Sequence, residues 1–300
     1  MTHVSVRQGL LYVSLAATAW GTGGAAGALL DRAGGIGPAA VSFWRFAVGA
    51  AVILLVTRVL GHGRRSGSGA RPGPARSVVT GVMMAVCQAA YFAAIAESGL
   101  AAATVVTIGA TPVLVAAGSV VLLRERPGAA GLGCAGAALT GLALLVSGDG
   151  PGSLSPAGAG WALLSAAAYA GVTLLNRARP AEPYIVAMGG FAAGAVCLLP
   201  AALAHGLLPS GEPLASWVLI AYLGAVPTAL AYGLFFTGLA AVRATTASVI
   251  TLVEPVGAAV LGVFLFGERL GPRTAGGAAL LLAAVALLAL SEGKEQRNRV

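Results

Sequence analysis

The sequence predicts an all-α polytopic membrane protein in which ten transmembrane helices form two inverted five-helix repeats. Three observations support this prediction: an apolar composition, ten stretches long enough to cross a bilayer, and landmarks that occur once in each half. Hydrophobic residues make up 58% of the chain and charged residues only 9%. Because soluble domains carry about 25% charged residues, lipid is the expected solvent for most of this chain.

Ten stretches of the chain are long and apolar enough to be transmembrane helices. A helix needs about 20 apolar residues to cross a hydrocarbon core of roughly 30 Å. Continuous apolar runs, such as residues 278–290, favour helices over barrel strands, in which apolar and polar residues alternate. The predicted spans, numbered one to ten, are 8–30, 38–60, 77–97, 101–123, 129–147, 156–176, 184–204, 215–236, 244–266 and 271–290.

The second half of the chain repeats landmarks of the first half. The sequence LDRA at 30–33 recurs as LNRA at 175–178, and Pro112 and Pro255 each precede a glutamate by 13 positions. An odd number of spans per half inverts the second copy, a pattern typical of secondary transporters with a site between the halves. The predicted divisions are 1–150 for the first repeat, 151–291 for the second and 292–300 for a cytoplasmic tail.

The net charge of +8 is distributed unevenly along the chain. Most basic residues, including the cluster at 58–76, fall in loops that alternating spans place on one side. The positive-inside rule therefore predicts cytoplasmic N- and C-termini. We interpret the cluster as a contact with phospholipid headgroups and expect no nucleic-acid partner. The excess of arginine over lysine, together with abundant alanine and glycine, indicates a bacterial gene and hence the plasma membrane.

Glu254 is the foremost candidate for a functional residue, because ionisable groups inside a membrane are costly. It lies near the middle of span nine, directly before Pro255. Its carboxyl group is expected either to contact a substrate amine or a proton, or to brace a kink made by the proline. The matching Pro112 in span four follows Thr111, so the halves share a proline and differ in charge.

Arg45 lies about eight residues into span two and is the second candidate. Its long side chain has three open interpretations: it snorkels to the membrane surface, it pairs with a carboxylate, or it holds a substrate carboxylate. A buried arginine needs such a partner, since an unpaired buried charge is costly. The candidate partners are Asp31, Glu97 and Glu254.

Several polar and aromatic residues lie deep within otherwise aliphatic spans. Gln88 and Tyr91 are one turn apart in span three and share a helix face. Trp20, Tyr169 and Tyr232 lie too deep to be typical anchors at the membrane surface. We predict that these five residues, with Arg45 and Glu254, line a substrate-binding cavity.

The residues that carry catalytic or cofactor chemistry are missing from the sequence pattern. Cys87, Cys134 and Cys197 fall within spans and lack metal-ligand spacing, and no phosphate-binding loop is present. We therefore predict no metal, no cofactor and no enzyme activity. The alternatives left open are an intramembrane lipid-modifying enzyme and a channel-like facilitator, although neither clustered acids nor a ring of polar groups is evident.

The chain resembles the EamA-type permeases of the drug/metabolite transporter superfamily. The resemblance implies a carrier of small organic metabolites, such as amino acids or drug-like compounds, that works by alternating access and more often exports than imports. It also implies a cavity lined by spans one, three, four, six, eight and nine. Protons are a candidate partner, and oligomeric state is not indicated. The motifs that carry it are Trp20-Gly21, Phe43-Trp44-Arg45-Phe46, Pro112 with Glu125-Arg126, and Glu254-Pro255 with Gly267-Glu268-Arg269.

The ends of spans four and nine carry the same motif with one departure. Arg124 stands where a glycine would be more usual before the glutamate. We interpret Glu125 and Glu268 as residues that fix their loops beside Arg126 and Arg269.

Overall fold

The fold consists of helices packed side by side. The computed structural model describes residues 4–34, 36–59, 73–125, 128–146, 155–179, 181–210, 213–266 and 271–297. Most of the predicted basic loop after span two, and the segment that contains Gly267, Glu268 and Arg269, lie outside these ranges. Within them every regular element is helical and no strand occurs.

Eleven α-helices are present in the described ranges, with a π-helical turn at two places. The π-helical turns are Ser119–Leu123 and Ala225–Leu230. The helices are α1 Val6–Gly34, α2 Pro38–Val59, α3 Pro74–Gly118, α4 Ala129–Val146, α5 Pro156–Ala178, α6 Pro183–Ala204, α7 Pro213–Gly224, α8 Ala231–Leu239, α9 Ala244–Ile250, α10 Val253–Phe266 and α11 Pro272–Arg297.

Proline marks the start of many of these helices. Six of them begin with proline as their first residue, where its missing N–H group would be unpaired in any case. Two starts are also capped by side chains: Ser155 accepts a hydrogen bond from the Gly158 amide at 2.9 Å, and Glu182 accepts one from the Ile185 amide at 2.7 Å. The sequence thus specifies where these helices begin before any tertiary packing is made.

Helix α3 contains both predicted spans three and four and doubles back on itself. The Tyr91 and Thr104 hydroxyl groups are 2.7 Å apart. In a straight helix these residues would be separated by about 20 Å along the axis. The chain therefore reverses between them, and the start and the end of α3 lie at the same end of the molecule.

Six helical segments are long and apolar enough to cross a membrane, and two shorter apolar helices accompany them. Predicted spans one and nine are not among these segments within the described residues, and span nine is divided between α9 and α10. The chain is therefore an all-helical, multi-pass membrane protein. The six segments are Pro38–Val59, Pro74–Ser98, Val106–Leu123, Pro156–Ala178, Pro183–Ala204 and Leu214–Leu239, and the shorter helices are Gly131–Leu144 and Ala275–Leu288.

Helices from one half of the chain pack mainly against helices from the other half. In the first half, α1 contacts α8 and α10; in the second half, α5 contacts both arms of α3. Two further pairs join helices at matching places, α2 with α6 and α4 with α11. The space between the two halves is therefore the interior of the bundle.

Glycine makes several of these contacts close, although not all of the glycines that stud the spans do so. A β-carbon added at Gly141 in α4 would lie 2.8 Å from the Gly277 carbonyl oxygen in α11, and one at Gly194 in α6 would lie 2.9 Å from Phe46. By contrast, Gly133 and Gly136 on α4 face open space. The seam between α4 and α11 thus depends on particular glycines, as small residues allow close helix approach in membranes.

Candidate functional site

A small cavity lies between the two halves of the chain. Its volume for water-sized occupants is about 10 Å³, which is room for about one water molecule. The lining side chains come from α2, α3, α5 and α8, which correspond to predicted spans two, three, six and eight. They are Phe46, Met84, Cys87, Gln88, Tyr169, Val172 and Tyr232.

Trp20 on α1 closes one side of this cavity as part of an aromatic cluster. Its ring meets Tyr232 edge-on at 4.9 Å between centroids and Tyr169 at 6.4 Å. Tyr232 in turn meets Phe191 edge-on at 5.1 Å. Such edge-to-face contacts add to the stability that apolar burial provides. The Trp20 indole is 6% exposed, and its Nε1 group has no hydrogen-bond partner among the described residues.

Arg45 reaches a π-helical turn of the other half. Its Nε group donates a hydrogen bond to the Thr228 hydroxyl at 3.4 Å. Thr228 is fully buried, and its hydroxyl donates to the Leu223 carbonyl five residues earlier, which fits the wider turn. Pro227 is the physical reason for the turn, because proline cannot supply the amide that an α-helix requires there. Turns of this kind are frequent at functional sites.

Glu254 lies at the first turn of α10, directly after a break in predicted span nine. Helix α9 ends at Ile250, and the Glu254 amide bonds the Thr251 carbonyl at 3.0 Å to start the next helix. A carboxylate is favoured at this position because helix N-termini carry partial positive charge. Among the described residues, the half-buried Glu254 carboxylate has no hydrogen-bond partner and no ion pair.

The charges of Arg45 and Glu254 face the same region from opposite halves of the chain. They interact electrostatically without forming a direct ion pair within the described residues. Of the other predicted partners of Arg45, Glu97 is exposed at the end of one α3 arm, and the Asp31 side chain lies outside the description. Glu254 lies near the thiol of Cys87 and the phenol groups of Tyr91, Tyr169 and Tyr232.

The predicted site residues are brought close together, with one at the margin. Gln88, Tyr169 and Tyr232 line the cavity directly, and Trp20 contacts the last two. Tyr91 points instead into the reversal of α3, where its hydroxyl is satisfied by a threonine. Tyr91 is not among the lining residues because its hydroxyl is held at that reversal. The one-turn spacing of Gln88 and Tyr91 in the sequence does not predict this.

Besides the apolar lining residues Phe46, Met84 and Val172, two residues with hydrogen-bonding groups were not predicted as part of the site. Cys87 lines the cavity and lies 3.4 Å from the Ser165 hydroxyl, whose own hydrogen goes to the Cys87 carbonyl at 2.8 Å. Thr228 holds Arg45, as described above. A cysteine within an apolar span reads as a small core residue, whereas Thr228 carries a usable signal, since it follows a proline inside a long apolar span.

The end of span four is held by a partner that the sequence did not suggest. The Glu125 carboxylate pairs with Arg177 of α5 at 2.8 Å, from Oε1 to Nε. Arg126, Glu268 and Arg269, which the motif also involves, lie outside the described residues. Glu125 therefore joins the two halves of the chain at this end of the bundle.

The arrangement suits the binding of a small solute. It offers aromatic faces and an indole N–H that has no partner among the described residues, with one cation and one anion nearby. The described residues contain no group of three metal-ligating side chains. A helical membrane bundle with an interior polar site between two halves of the chain defines the class of membrane transporters.

Comparison with known proteins agrees with that class. The EamA-like transporter family matches residues 7–147 and again residues 156–290. The chain belongs to this family, and it is a membrane transporter.

Similar proteins cover the chain from end to end. It is 30% identical to the uncharacterized transporter YwfM of Bacillus subtilis (strain 168) over 298 residues, covering 95% of each chain. It is 26% identical to the uncharacterized inner membrane transporter YicL of Salmonella typhimurium (strain LT2), covering 98% of this chain and 99% of that protein. A solved crystal structure with 22% identity superposes with a TM-score of 0.81 over 94% of this chain and 96% of that one, which shows a shared fold.

Proposed function

We propose that the protein is a secondary transporter that exports small organic metabolites by alternating access across a bacterial plasma membrane. The observation that carries the proposal is a cavity between the two halves that is lined by side chains of both, with Arg45 and Glu254 from different halves near its Cys87 and Tyr232. A carrier must hold its site closed to at least one side, whereas a channel needs a continuous polar path. A small cavity lined from both halves of the chain is where a carrier of this architecture is expected to bind its solute.

The proposed architecture is ten spans in two inverted five-helix repeats, residues 1–150 and 151–291, with cytoplasmic termini. Two observations support it. Helices of one half pack mainly against helices of the other half, and the same family model matches each half separately. Contacts between the ends of different spans are also consistent with this topology. Trp44 bonds the Leu207 carbonyl at the proposed outer end, and Arg76 bonds Asn176 at the proposed cytoplasmic end.

The proposed substrate site comprises Trp20, Arg45, Gln88, Tyr91, Tyr169, Tyr232 and Glu254. Arg45 and Glu254 have no direct ionic partner in the described residues, so both charges are available to a ligand. A solute that carries an ammonium and a carboxylate group, such as an amino acid, would satisfy both at once. Its apolar part would lie against the aromatic cluster around Trp20. The cavity must widen to admit it, because a water-sized space cannot.

Solute counterflow tests the carrier proposal. Purified protein in liposomes preloaded with an unlabelled candidate solute should take up the labelled solute transiently above its equilibrium level. A carrier produces this overshoot because exchange is coupled through one site, whereas a pore or an enzyme does not. Export should appear in cells as loss of the solute to the medium on overexpression. The absence of counterflow across a panel of amino acids and related metabolites would contradict the proposal.

Proton coupling through Glu254 is the finer part of the proposal. Glu254→Gln keeps the size of the side chain and an oxygen that accepts a hydrogen bond, and it cannot release a proton. We expect the variant to lose the response of transport to an imposed pH gradient while downhill exchange continues. Proteoliposomes with and without a pH gradient provide the measurement. A pH response equal to that of the unmodified protein would remove Glu254 from the coupling step.

A further inference from the structure

An ionic network closes the bundle at the end opposite the reversal of α3. Besides its bond to Arg177, Glu125 accepts a hydrogen bond at Oε2 from the Ala244 amide at 3.3 Å. The Arg177 guanidinium in turn donates to the Ala240 carbonyl at 3.1 Å and lies 3.5 Å from that of Leu239. We call these five residues the Glu125 network. It joins the end of span four, the end of span six, and the connection between spans eight and nine.

Each contact in the Glu125 network satisfies a group that would otherwise be left unpaired at a helix end. Cationic side chains stabilise the last carbonyl groups of a helix, as Arg177 does at the end of α8. A carboxylate stabilises the first amide groups, as Glu125 does at the start of α9. The Glu125 and Arg177 side chains are only 20% and 23% exposed, so solvent screens their attraction less than that of a surface pair.

The same turn of α5 is held from its other side. Arg76, at the beginning of α3, donates to Asn176 at 2.8 Å, and Asn176 directly precedes Arg177. Because α3 doubles back, both of its ends lie beside the last turn of α5. Arg76 near its beginning and Glu125 after its end each bond a residue of that turn. One turn deeper, the Ser119 and Thr245 hydroxyls are 3.3 Å apart and continue the seam between spans four and nine.

The proposed outer end is held in a different way. There the Ser98 and Ser155 hydroxyls are 3.2 Å apart, Trp44 donates to the Leu207 carbonyl at 2.8 Å, and the Trp44 and Trp217 rings meet at 4.9 Å. These contacts are neutral. Within the described ranges, the ion pair between Glu125 and Arg177 has no counterpart at that end.

From the contacts of the Glu125 network we propose that it is the latch that keeps the cytoplasmic end of the bundle closed. The pair between Glu125 and Arg177 joins span four to span six, so an opening that separates these two spans at that end breaks the pair. Removing the pair should shift the population towards a state open to the cytoplasm. The inference rests on the proposed function, because a latch of this kind matters only if the cavity opens to alternate sides.

Cys87 offers a natural reporter, because its thiol lines the cavity. The chain contains three cysteines, so Cys134→Ser with Cys197→Ser leaves Cys87 as the only thiol. The rate at which a membrane-impermeant maleimide labels Cys87 is measured in inside-out and in right-side-out vesicles. Glu125→Gln should raise the rate from the cytoplasmic side by about fivefold or more, in the range of typical conformational couplings. The rate from the outer side should not rise.

Further variants make the result specific. Glu97→Gln is the matched control: it makes the same chemical change on α3, at an exposed position without an ion pair in the described residues, and it should leave labelling unchanged. Arg177→Gln should act like Glu125→Gln, and the double variant should add little, because both changes break one contact. If Glu125→Gln is recovered only as aggregate, Glu125→Asp, which shortens the side chain and keeps its charge, should give an intermediate increase.

The outcomes separate the latch from the transporter proposal. Unchanged cytoplasmic labelling in both the Glu125 and the Arg177 variants overturns the latch, as does an increase from the outer side alone. Counterflow by the unmodified protein is scored independently. If counterflow is present and labelling does not change, only the latch fails. If labelling depends on Glu125 and no solute shows counterflow, the network still controls access to the cavity, and it is the transporter proposal that fails.

Discussion

Predicted spans four and nine occupy matching places in the two halves, yet their backbones differ. Pro112 lies inside α3, which continues as a helix through it, and the preceding Thr111 donates its hydroxyl to the Thr107 carbonyl at 2.8 Å. In the second half, the chain leaves the helix at Thr251 and starts again just before Pro255. A proline at the same place therefore does not by itself decide whether a helix breaks.

Neighbouring hydroxyl groups explain part of this difference. In the second half, Ser248 donates to the Thr245 carbonyl and Thr251 donates to the Ser248 carbonyl, at 2.8 and 2.7 Å. Such bonds offer the backbone an alternative to regular helix, and here they lie directly before the break. Glu254 therefore lies in the first turn of a helix, whereas Thr111 lies within a continuous helix. The comparison teaches that asymmetry of backbone accompanies asymmetry of charge.

The largest expected effect comes from making the second half resemble the first at its acid. Glu254→Thr removes the carboxylate and leaves a side chain too short to reach a solute in the cavity. Loss of one charge-assisted hydrogen bond of about 2 kcal/mol predicts a fall in the initial counterflow rate of roughly 30-fold. Thr111→Val is the matched control, and it should change the rate by less than about threefold, since Thr111 bonds only its own helix. Equal losses in both variants would show that the halves contribute alike.

A smaller effect is expected from the two prolines. Pro255→Ala supplies an amide that can bond the Thr251 carbonyl, which favours one continuous helix and moves Glu254 away from a helix start. We expect counterflow to fall by about tenfold, which corresponds to about 1.4 kcal/mol. Pro112→Ala adds a hydrogen bond to a helix that is already continuous. It should leave counterflow unchanged and raise the free energy of unfolding by about 1 kcal/mol. Similar behaviour of the two variants would contradict the difference between the spans.

The smallest expected effect concerns the residue after span four. Arg124 has a φ angle of 55°, in the left-handed region that favours glycine, and the matching position of the second half is Gly267. Arg124→Gly should stabilise the protein by about 0.5–1 kcal/mol, because the steric cost of the left-handed conformation exceeds the entropic cost of glycine. Thermal unfolding in detergent measures this difference, and counterflow should not change.

Gly206 provides the opposite substitution as a control. Its φ angle is 94°, and a β-carbon there would meet no other atom within 4 Å. Gly206→Ala should therefore destabilise the protein by about 1 kcal/mol through backbone strain alone. If Arg124→Gly lowers the unfolding temperature, the contacts of the arginine side chain outweigh its strained backbone.

The apolar runs and the prolines allow much of the fold to be anticipated. Pro38, Pro74, Pro156 and Pro183 begin helices close to the predicted starts of spans two, three, six and seven. The reversal of α3 falls between predicted spans three and four, 77–97 and 101–123. What the sequence does not show is that one helix continues through the reversal, because Ser98 and Gly99 are followed by apolar residues and no polar loop interrupts the pattern. The hydropathy of a segment indicates whether lipid or water surrounds it. The direction in which the chain runs depends on contacts such as that between Tyr91 and Thr104.

The candidate site likewise contains residues that the sequence predicts and contacts that it does not. Glu254 and Arg45 are apparent from the sequence because charge is costly within lipid. The pairing of Glu125 with Arg177 spans 52 positions and joins the two halves, so the local motif suggested the neighbouring Arg126 instead. Pairings of this kind depend on which helix ends meet, which no periodicity within one helix encodes.

The π-helical turn around Thr228 gives span eight a means of rotation. A π-helical turn accommodates one more residue than an α-helical turn. If residues 225–230 rewound to α-helix, everything beyond them would rotate by roughly 100° about the helix axis, since each residue of an α-helix turns by that angle. Tyr232 and Phe235 would swing away from Trp20, and Arg45 would lose its threonine partner. A single rewound turn would thus exchange the aromatic wall for an opening without any helix leaving its place.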